Sequence, residues 1–316
     1  MLEQTSWFDT RDEVKLFLRR WEPDGTPRGV LHIIHGMSDH SLRFAETAAY
    51  LCERSYAVWS ADMRGHGRTA DLSVNPADKG GLFGHCADIK AFSKIMLDIE
   101  KINTEIQKVY HSVNLFLFGH SWGSFIAQSY IETFNKRPLA GCILSGTKCP
   151  GSAIAAIGAP FMTIFSTVRG TRAHSQFINK LTFGAYNKEF QPNRTMFDWL
   201  SRDENEVDAY ISDPFCGKDV SVGFYRDLIC ALQRIQRRRV MERINRDLPV
   251  YVFSGSADPV GGMGAEPAAL VDWYRKIGIQ DIEFVLYPGA RHECLHEMNR
   301  LEVTRNLCDW LDRHTK

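Results

Sequence analysis

Ser121 stands at the centre of Gly119-His120-Ser121-Trp122-Gly123, between an apolar run, Val113 to Phe118, and residues at helical spacing, Phe125, Ile126, Ala127, Tyr130 and Ile131. That pattern is a buried strand turned sharply into a helix, the setting in which a serine hydroxyl is presented as a nucleophile. Glycines two positions to either side let strand and helix close on a strained serine, and the helix amides then face negative charge developing beside it. Such a serine also needs a base, and the base needs a group that orients it. Two later loops supply both: Ser254-Gly255-Ser256-Ala257-Asp258-Pro259 follows the apolar run Val250 to Phe253, and Pro288-Gly289-Ala290-Arg291-His292 follows Ile282 to Tyr287. In the order Ser121, Asp258, His292, the aspartate would orient the imidazole, and the histidine would take the serine proton and return it to a leaving group. His296 is the competing base, expected one helical turn beyond the loop.

The elements that must position these groups read as alternating strands and helices. Strands are expected at Val14 to Trp21, Val30 to Ile34, Ala57 to Ala61, Val113 to Phe118, Leu139 to Leu144, Val250 to Phe253 and Ile282 to Tyr287, and helices at Phe44 to Arg54, Cys86 to Ile106 and Leu301 to Leu311. In the second of those helices Ile89, Phe92, Ile95, Met96 and Ile99 are spaced to face the core. His35-Gly36-Met37 directly follows a central strand, so the backbone amide of Met37 is the expected partner of the Trp122 amide in an oxyanion hole. Between about Thr147 and Val222 the alternation stops. Residues 1–146 and 223–316 then form two parts of one α/β core with a mostly parallel central sheet and helices on both faces, and 147–222 form an inserted helical cap. Ile154, Ile157, Phe161, Ile164 and Phe165 of the cap are expected to line an apolar channel, with Phe161 and Phe165 touching substrate.

The 316 residues, 44% hydrophobic and 11% aromatic, support a large core. Lysine plus arginine equals aspartate plus glutamate at 38 each, so no overall field draws nucleic acid or an anionic membrane. Arg234, Arg237, Arg238, Arg239, Arg243 and Arg246 read as the solvated face of a helix that resumes the core. Eight cysteines without a Cys-x-x-Cys pair point to reduced thiols and to no metal. Gly65-His66-Gly67 lacks the lysine and the following helix of a phosphate cradle. With no leader-like start and no apolar stretch near the ~20 residues of a membrane span, the expected location is the cytoplasm, with transient membrane contact through the cap. Oligomeric state is not legible.

His35-Gly36-Met37 with Asp39-His40-Ser41 and Arg43, Gly65-His66-Gly67, Gly119-His120-Ser121-Trp122-Gly123, Gly255-Ser256-Ala257-Asp258 and Tyr287-Pro288-Gly289 with His292-Glu293 span nearly the whole chain. Together they resemble the α/β-hydrolases of the monoacylglycerol lipase and lysophospholipase group, also described as serine aminopeptidase-like. The resemblance implies the α/β-hydrolase fold and cleavage of an ester of a glycerol-bearing or other lipid through an acyl-enzyme, without metal or cofactor. Trp122 departs from the methionine and Ser124 from the glycine frequent in that group, and Trp122 bears on acyl-chain preference. Two other readings stand beside it. A peptidase or amidase of the same fold would use acidic cap residues such as Glu204, Glu206 or Asp208 to hold a free amine, and a binding protein would keep the fold without the activity. A dehalogenase or epoxide hydrolase is disfavoured, because it would carry a carboxylate in place of Ser121.

Overall fold

The computed structural model describes residues 1–149, 152–175, 184–235 and 237–315; the side chains of 152–157, including Ile154 and Ile157, lie outside the described residues. Among these, eight strands form one sheet: β1 (Leu2–Asp9), β2 (Lys15–Glu22), β3 (Gly29–Ile34), β4 (Tyr56–Asp62), β5 (Asn114–His120), β6 (Gly141–Ser145), β7 (Val250–Gly255) and β8 (Ile282–Tyr287). Their spatial order is β1-β2-β4-β3-β5-β6-β7-β8. β2 runs antiparallel to β1 and β4, and every pair from β4 to β8 is parallel. β1 is absent from the sequence expectation for a physical reason. Glu3-Gln4-Thr5-Ser6 lies at the sheet edge, largely exposed, and shows no alternation of apolar and polar residues.

Successive residues of the central strands serve opposite faces. On one face Ile34, Leu117, Leu144 and Val252 pack with helices α2 (Ala91–Val109), α3 (Trp122–Thr133), α6 (Val222–Ile235) and α8 (Ala265–Ile277). On the other, Leu31, Ile33, Phe116, Phe118, Ile143 and Phe253 pack with α1 (Ala45–Cys52) and α9 (Arg300–His314). The remaining described helices are α4 (Ser152–Arg169), α5 (Glu204–Ser212) and the single turn α7 (Arg238–Met241). α4 lies along α6, which in turn packs on α3.

Two expectations are corrected. The helix expected from Cys86 starts at Ala91. Lys90 adopts φ 52°, the Ala91 amide is capped across space by the Asp227 carboxylate of α6 at 2.9 Å, and Ile89 is 65% exposed rather than in the core. The basic run is also no single helix face. Arg234 closes α6, Arg238 and Arg239 lie in α7, and Arg243 and Arg246 follow it.

Parallel pairing aligns the strand ends that carry the chemistry. Ile34 pairs with Gly119, His120 with Ser145, and Gly255 with Tyr287. The loops after β3, β5, β7 and β8 therefore leave one edge of the sheet, where open α/β sheets bind ligands.

Candidate active site

Ser121 occupies the turn between β5 and α3 with φ 53° and ψ −120°, outside the regions a serine normally adopts. The glycines make this possible. A Cβ on Gly119 would overlap the Gly123 carbonyl, and a Cβ on Gly123 would overlap the Ile34 carbonyl of the neighbouring strand. The Ser121 amide donates to the Ser145 carbonyl at 2.9 Å, and Ser124 donates through both its amide and its hydroxyl to the Ser121 carbonyl. The turn is thus held from both sides with its hydroxyl left free to act.

His292 Nε2 lies 2.9 Å from Ser121 Oγ, and His292 Nδ1 lies 3.0 Å from Asp258 Oδ1. Burial raises the Asp258 carboxyl, but the His292 charge and hydrogen bond, the Val260 amide and the Ser254 hydroxyl together hold it below the usual carboxylate range. An ionised Asp258 accepts from Nδ1–H, which leaves Nε2 unprotonated and able to accept from the serine hydroxyl. His296 is turned away. Its Nε2–H donates to the Arg43 carbonyl at 2.8 Å.

Met37, in the loop after β3, lines the cavity at Ser121, and Trp122 directly follows Ser121 at the start of α3. Neither backbone amide donates to an acceptor among the described residues, as an oxyanion hole requires. The β3 loop is shaped by His35, which donates from Nδ1 to the Gly36 carbonyl at 2.7 Å and accepts the Met63 amide at Nε2 at 2.9 Å. Those two bonds require neutral imidazole, and burial lowers its pKa accordingly. His120, between Gly119 and Ser121, is buried beside His292 with ring centroids 5.0 Å apart, and burial lowers its pKa to about 3, so it stays uncharged next to that imidazole.

A small cavity at Ser121 is lined by Met37, Asp39, Trp199, Leu200, Tyr210 and Glu293 among others. Trp199, Leu200 and Tyr210 carry no motif and are missed by sequence reasoning; the break in strand and helix alternation between β6 and α6 is the only signal that marks their segment. Phe161 and Phe165 do not line this cavity. They stack on each other on α4, ring centroids 5.9 Å apart, with Phe161 58% exposed. Phe165 is half-buried against the apolar cluster that contains Trp122, Met162 and Phe224. Of the acidic residues expected in the cap, Glu204 and Asp208 are exposed on α5, and Asp208 pairs with Arg194 at 2.7 Å. None of Glu204, Glu206 and Asp208 reaches the cavity.

One group among the described residues has the chemistry of a metal site: His40, Asp213 and Cys216, with potential ligand atoms within 4.8 Å of one another. His40 Nε2–H is engaged there with the Asp213 carboxylate at 2.9 Å, tying the β3 loop to the inserted segment. No helix among the described residues is long and apolar enough to cross a membrane.

The profile of the family described as serine aminopeptidase, S33, matches residues 25–299. The human monoglyceride lipase is 27% identical over 305 residues, covering 95% of this chain and 88% of the lipase. A monoacylglycerol lipase of Mycolicibacterium smegmatis is 26% identical, covering 95% of this chain and 94% of that one. Among solved structures, a thermostable carboxyl esterase from Bacillus coagulans superposes with a TM-score of 0.90 at 24% identity over the whole of both chains, which is a likeness of fold.

Proposed function

The chain belongs to the serine aminopeptidase, S33, family and is a carboxylic ester hydrolase of the α/β-hydrolase fold; from that premise we propose that Ser121, His292 and Asp258 cleave monoacylglycerol- or lysophospholipid-like esters through an acyl-enzyme. The observation that carries this reading is the unbroken hydrogen-bonded line from Ser121 Oγ through His292 to Asp258, at 2.9 and 3.0 Å. As Ser121 Oγ bonds to the ester carbonyl carbon, its proton passes to His292 Nε2, and the carbonyl oxygen takes up negative charge facing the Met37 and Trp122 amides. Asp258 stabilises the imidazolium. Collapse breaks the carbon–oxygen bond to the alcohol, which leaves with the imidazolium proton. Water, deprotonated by His292, then attacks the acyl carbon, releasing the acid and restoring Ser121.

The apolar cluster of Trp122, Met162 and Phe224, with half-buried Met37 and Phe165, supports an acyl-binding side. Asp39 and Tyr210 in the cavity wall suit a hydroxyl-bearing leaving group. Residues 147–222 act as the cap over this site, and α4, with Phe161, Ile164 and Val168 exposed, is its contact with aggregated or membrane-held substrate. Eight free cysteines support a reducing compartment and hence a cytoplasmic enzyme. The amidase reading lacks a cap carboxylate at the cavity among the described residues.

The test is a set of hydrolysis rates on short and long acyl esters, monoacylglycerols, lysophospholipids and aminoacyl amides. Monoacylglycerols or lysophospholipids of medium to long chain should lead. Faster turnover of aminoacyl amides would overturn the substrate class, and no turnover of any of them would return the chain to a binding role.

A further inference from the structure

Glu293 directly follows His292, and its two carboxylate oxygens receive the two terminal nitrogens of Arg43, each at 2.7 Å, in a two-pronged ion pair. Both side chains are buried, 9% and 5% exposed. Arg43 lies in the turn Ser41–Phe44, directly after the loop that carries Met37. The pair therefore joins the loop that bears the imidazole to the loop that bears an oxyanion amide.

Other bonds converge on the same junction. His296 donates to the Arg43 carbonyl at 2.8 Å, the Glu293 amide donates to the Leu200 carbonyl at 2.8 Å, and the Tyr210 ring lies 4.9 Å from the guanidinium. Asp39 stands 3.4 Å from Arg43 Nη1 through one oxygen, while its other oxygen accepts the Gly36 amide at 3.2 Å. The guanidinium thus also steadies the residue just before Met37. A buried ion pair is weak in net stability compared with an apolar replacement, but a planar fork fixes direction as few contacts can.

We propose that Arg43 and Glu293 are positioning residues for the hydrolysis: their ion pair locks the His292 loop to the Met37 loop. The proposal rests on the triad reading above. Asp258 from the β7 loop contacts His292 directly, and Glu293 is its neighbour in the chain. Behind Glu293 stand Arg43 and Asp39, with His296 one turn further on. Cys216, from the inserted segment, adds no charge while it is a thiol, and burial pushes that thiol up. Burial likewise keeps His120 neutral. Removing Arg43 leaves Glu293 and Asp39 without their shared partner, and neutralising Glu293 breaks the fork from the other side.

The experiment measures kcat and KM on a soluble short-chain ester for S121A, R43K, R43M, E293Q and the double variant R43M/E293M. In R43M and in E293Q kcat should fall roughly tenfold to a hundredfold while KM stays within about twofold. R43K keeps the charge but loses the fork, so its kcat should fall to a similar degree. The double variant, which removes both charges together and leaves neither buried alone, should fold, keep its KM within about twofold and lose kcat to a similar degree. Wild-type kcat in R43K or in the double variant, or a loss carried by KM and not by kcat, would overturn the proposal. An active S121A would instead overturn the triad reading on which it rests, so the two failures are distinguishable.

Discussion

The indole of Trp199 lies against the imidazole of His292, ring centroids 5.1 Å apart at an interplanar angle of 40°, and the Trp199 carbonyl receives the His292 amide at 3.4 Å. Trp199 belongs to the segment between β6 and α6, so His292 is braced by that segment as well as by the loop after β8. The same segment grips the loop after β3. Tyr210 donates to the Ser38 carbonyl at 3.0 Å, and Ser38 donates to the Lys218 carbonyl at 2.6 Å. Trp199→Ala should therefore lower kcat on short esters by roughly tenfold while KM changes little, because the loss is in the geometry of the base. Steady-state kinetics would read this, and an unchanged kcat would show that the indole only fills space.

His292 and His296 should separate cleanly. His292→Ala removes the base and should cost several orders of magnitude in kcat, on the scale of a triad knockout. His296→Ala removes a bond to a carbonyl, so its loss should be far smaller. Assayed side by side on one substrate, equal losses would mean that the proton acceptor has been misassigned.

Phe165 and Phe161 offer a test of the acyl side. Each buried methylene of substrate contributes up to about 0.8 kcal/mol, so kcat/KM should climb with chain length until the apolar surface ends. Phe165 packs on the cluster that contains Trp122, so Phe165→Ser should flatten that climb and spare acetyl esters. Phe161 is 58% exposed, so Phe161→Ser should leave dissolved monomeric substrates unaffected and weaken turnover of micellar or vesicle-held ones. Equal loss on acetyl and long-chain esters in Phe165→Ser would make α4 a structural cover only.

Glu132 on α3 is buried, and neither of its carboxyl oxygens has a hydrogen-bond partner among the described residues. Burial raises its pKa from 4.5 to about 9, against the opposing pull of Arg234 and Arg243. A carboxyl whose folded pKa lies above its unfolded value favours the fold while protonated. That contribution is complete below pH 4.5 and is lost as pH rises towards 9. Thermal unfolding of Glu132→Met should thus show a gain over wild type that grows between pH 6 and pH 9, on the order of 1–3 kcal/mol at the upper end. A gain independent of pH would place the ionisation elsewhere.

The strands of the core and the three residues Ser121, Asp258 and His292 are legible in the sequence because each depends on local signals: an apolar run, a glycine that permits a sharp turn, a polar residue where the run stops. What is not legible depends on partners far along the chain. The start of α2 at Ala91 is set by Asp227, and the polar edge strand β1 is defined by its pairing with β2. Trp199, Leu200 and Tyr210 sit in irregular or short helical segments whose contacts to the loops after β3 and β8 leave no periodicity. Arg43 and Glu293 are visible as motif residues 250 positions apart, but their pairing is a fact of the fold.

The central claim is that Ser121 is the nucleophile of an ester hydrolase. The most direct measurement is intact-protein and peptide mass spectrometry after treatment with a fluorophosphonate, on wild type and on Ser121→Ala, alongside hydrolysis of a medium-chain monoacylglycerol. Wild type should gain one phosphonate adduct, located on Ser121, and lose its activity in step; Ser121→Ala should fold, take up no adduct and show hydrolysis reduced by several orders of magnitude. An adduct on another residue, or a Ser121→Ala protein that still turns over the ester, would contradict the account.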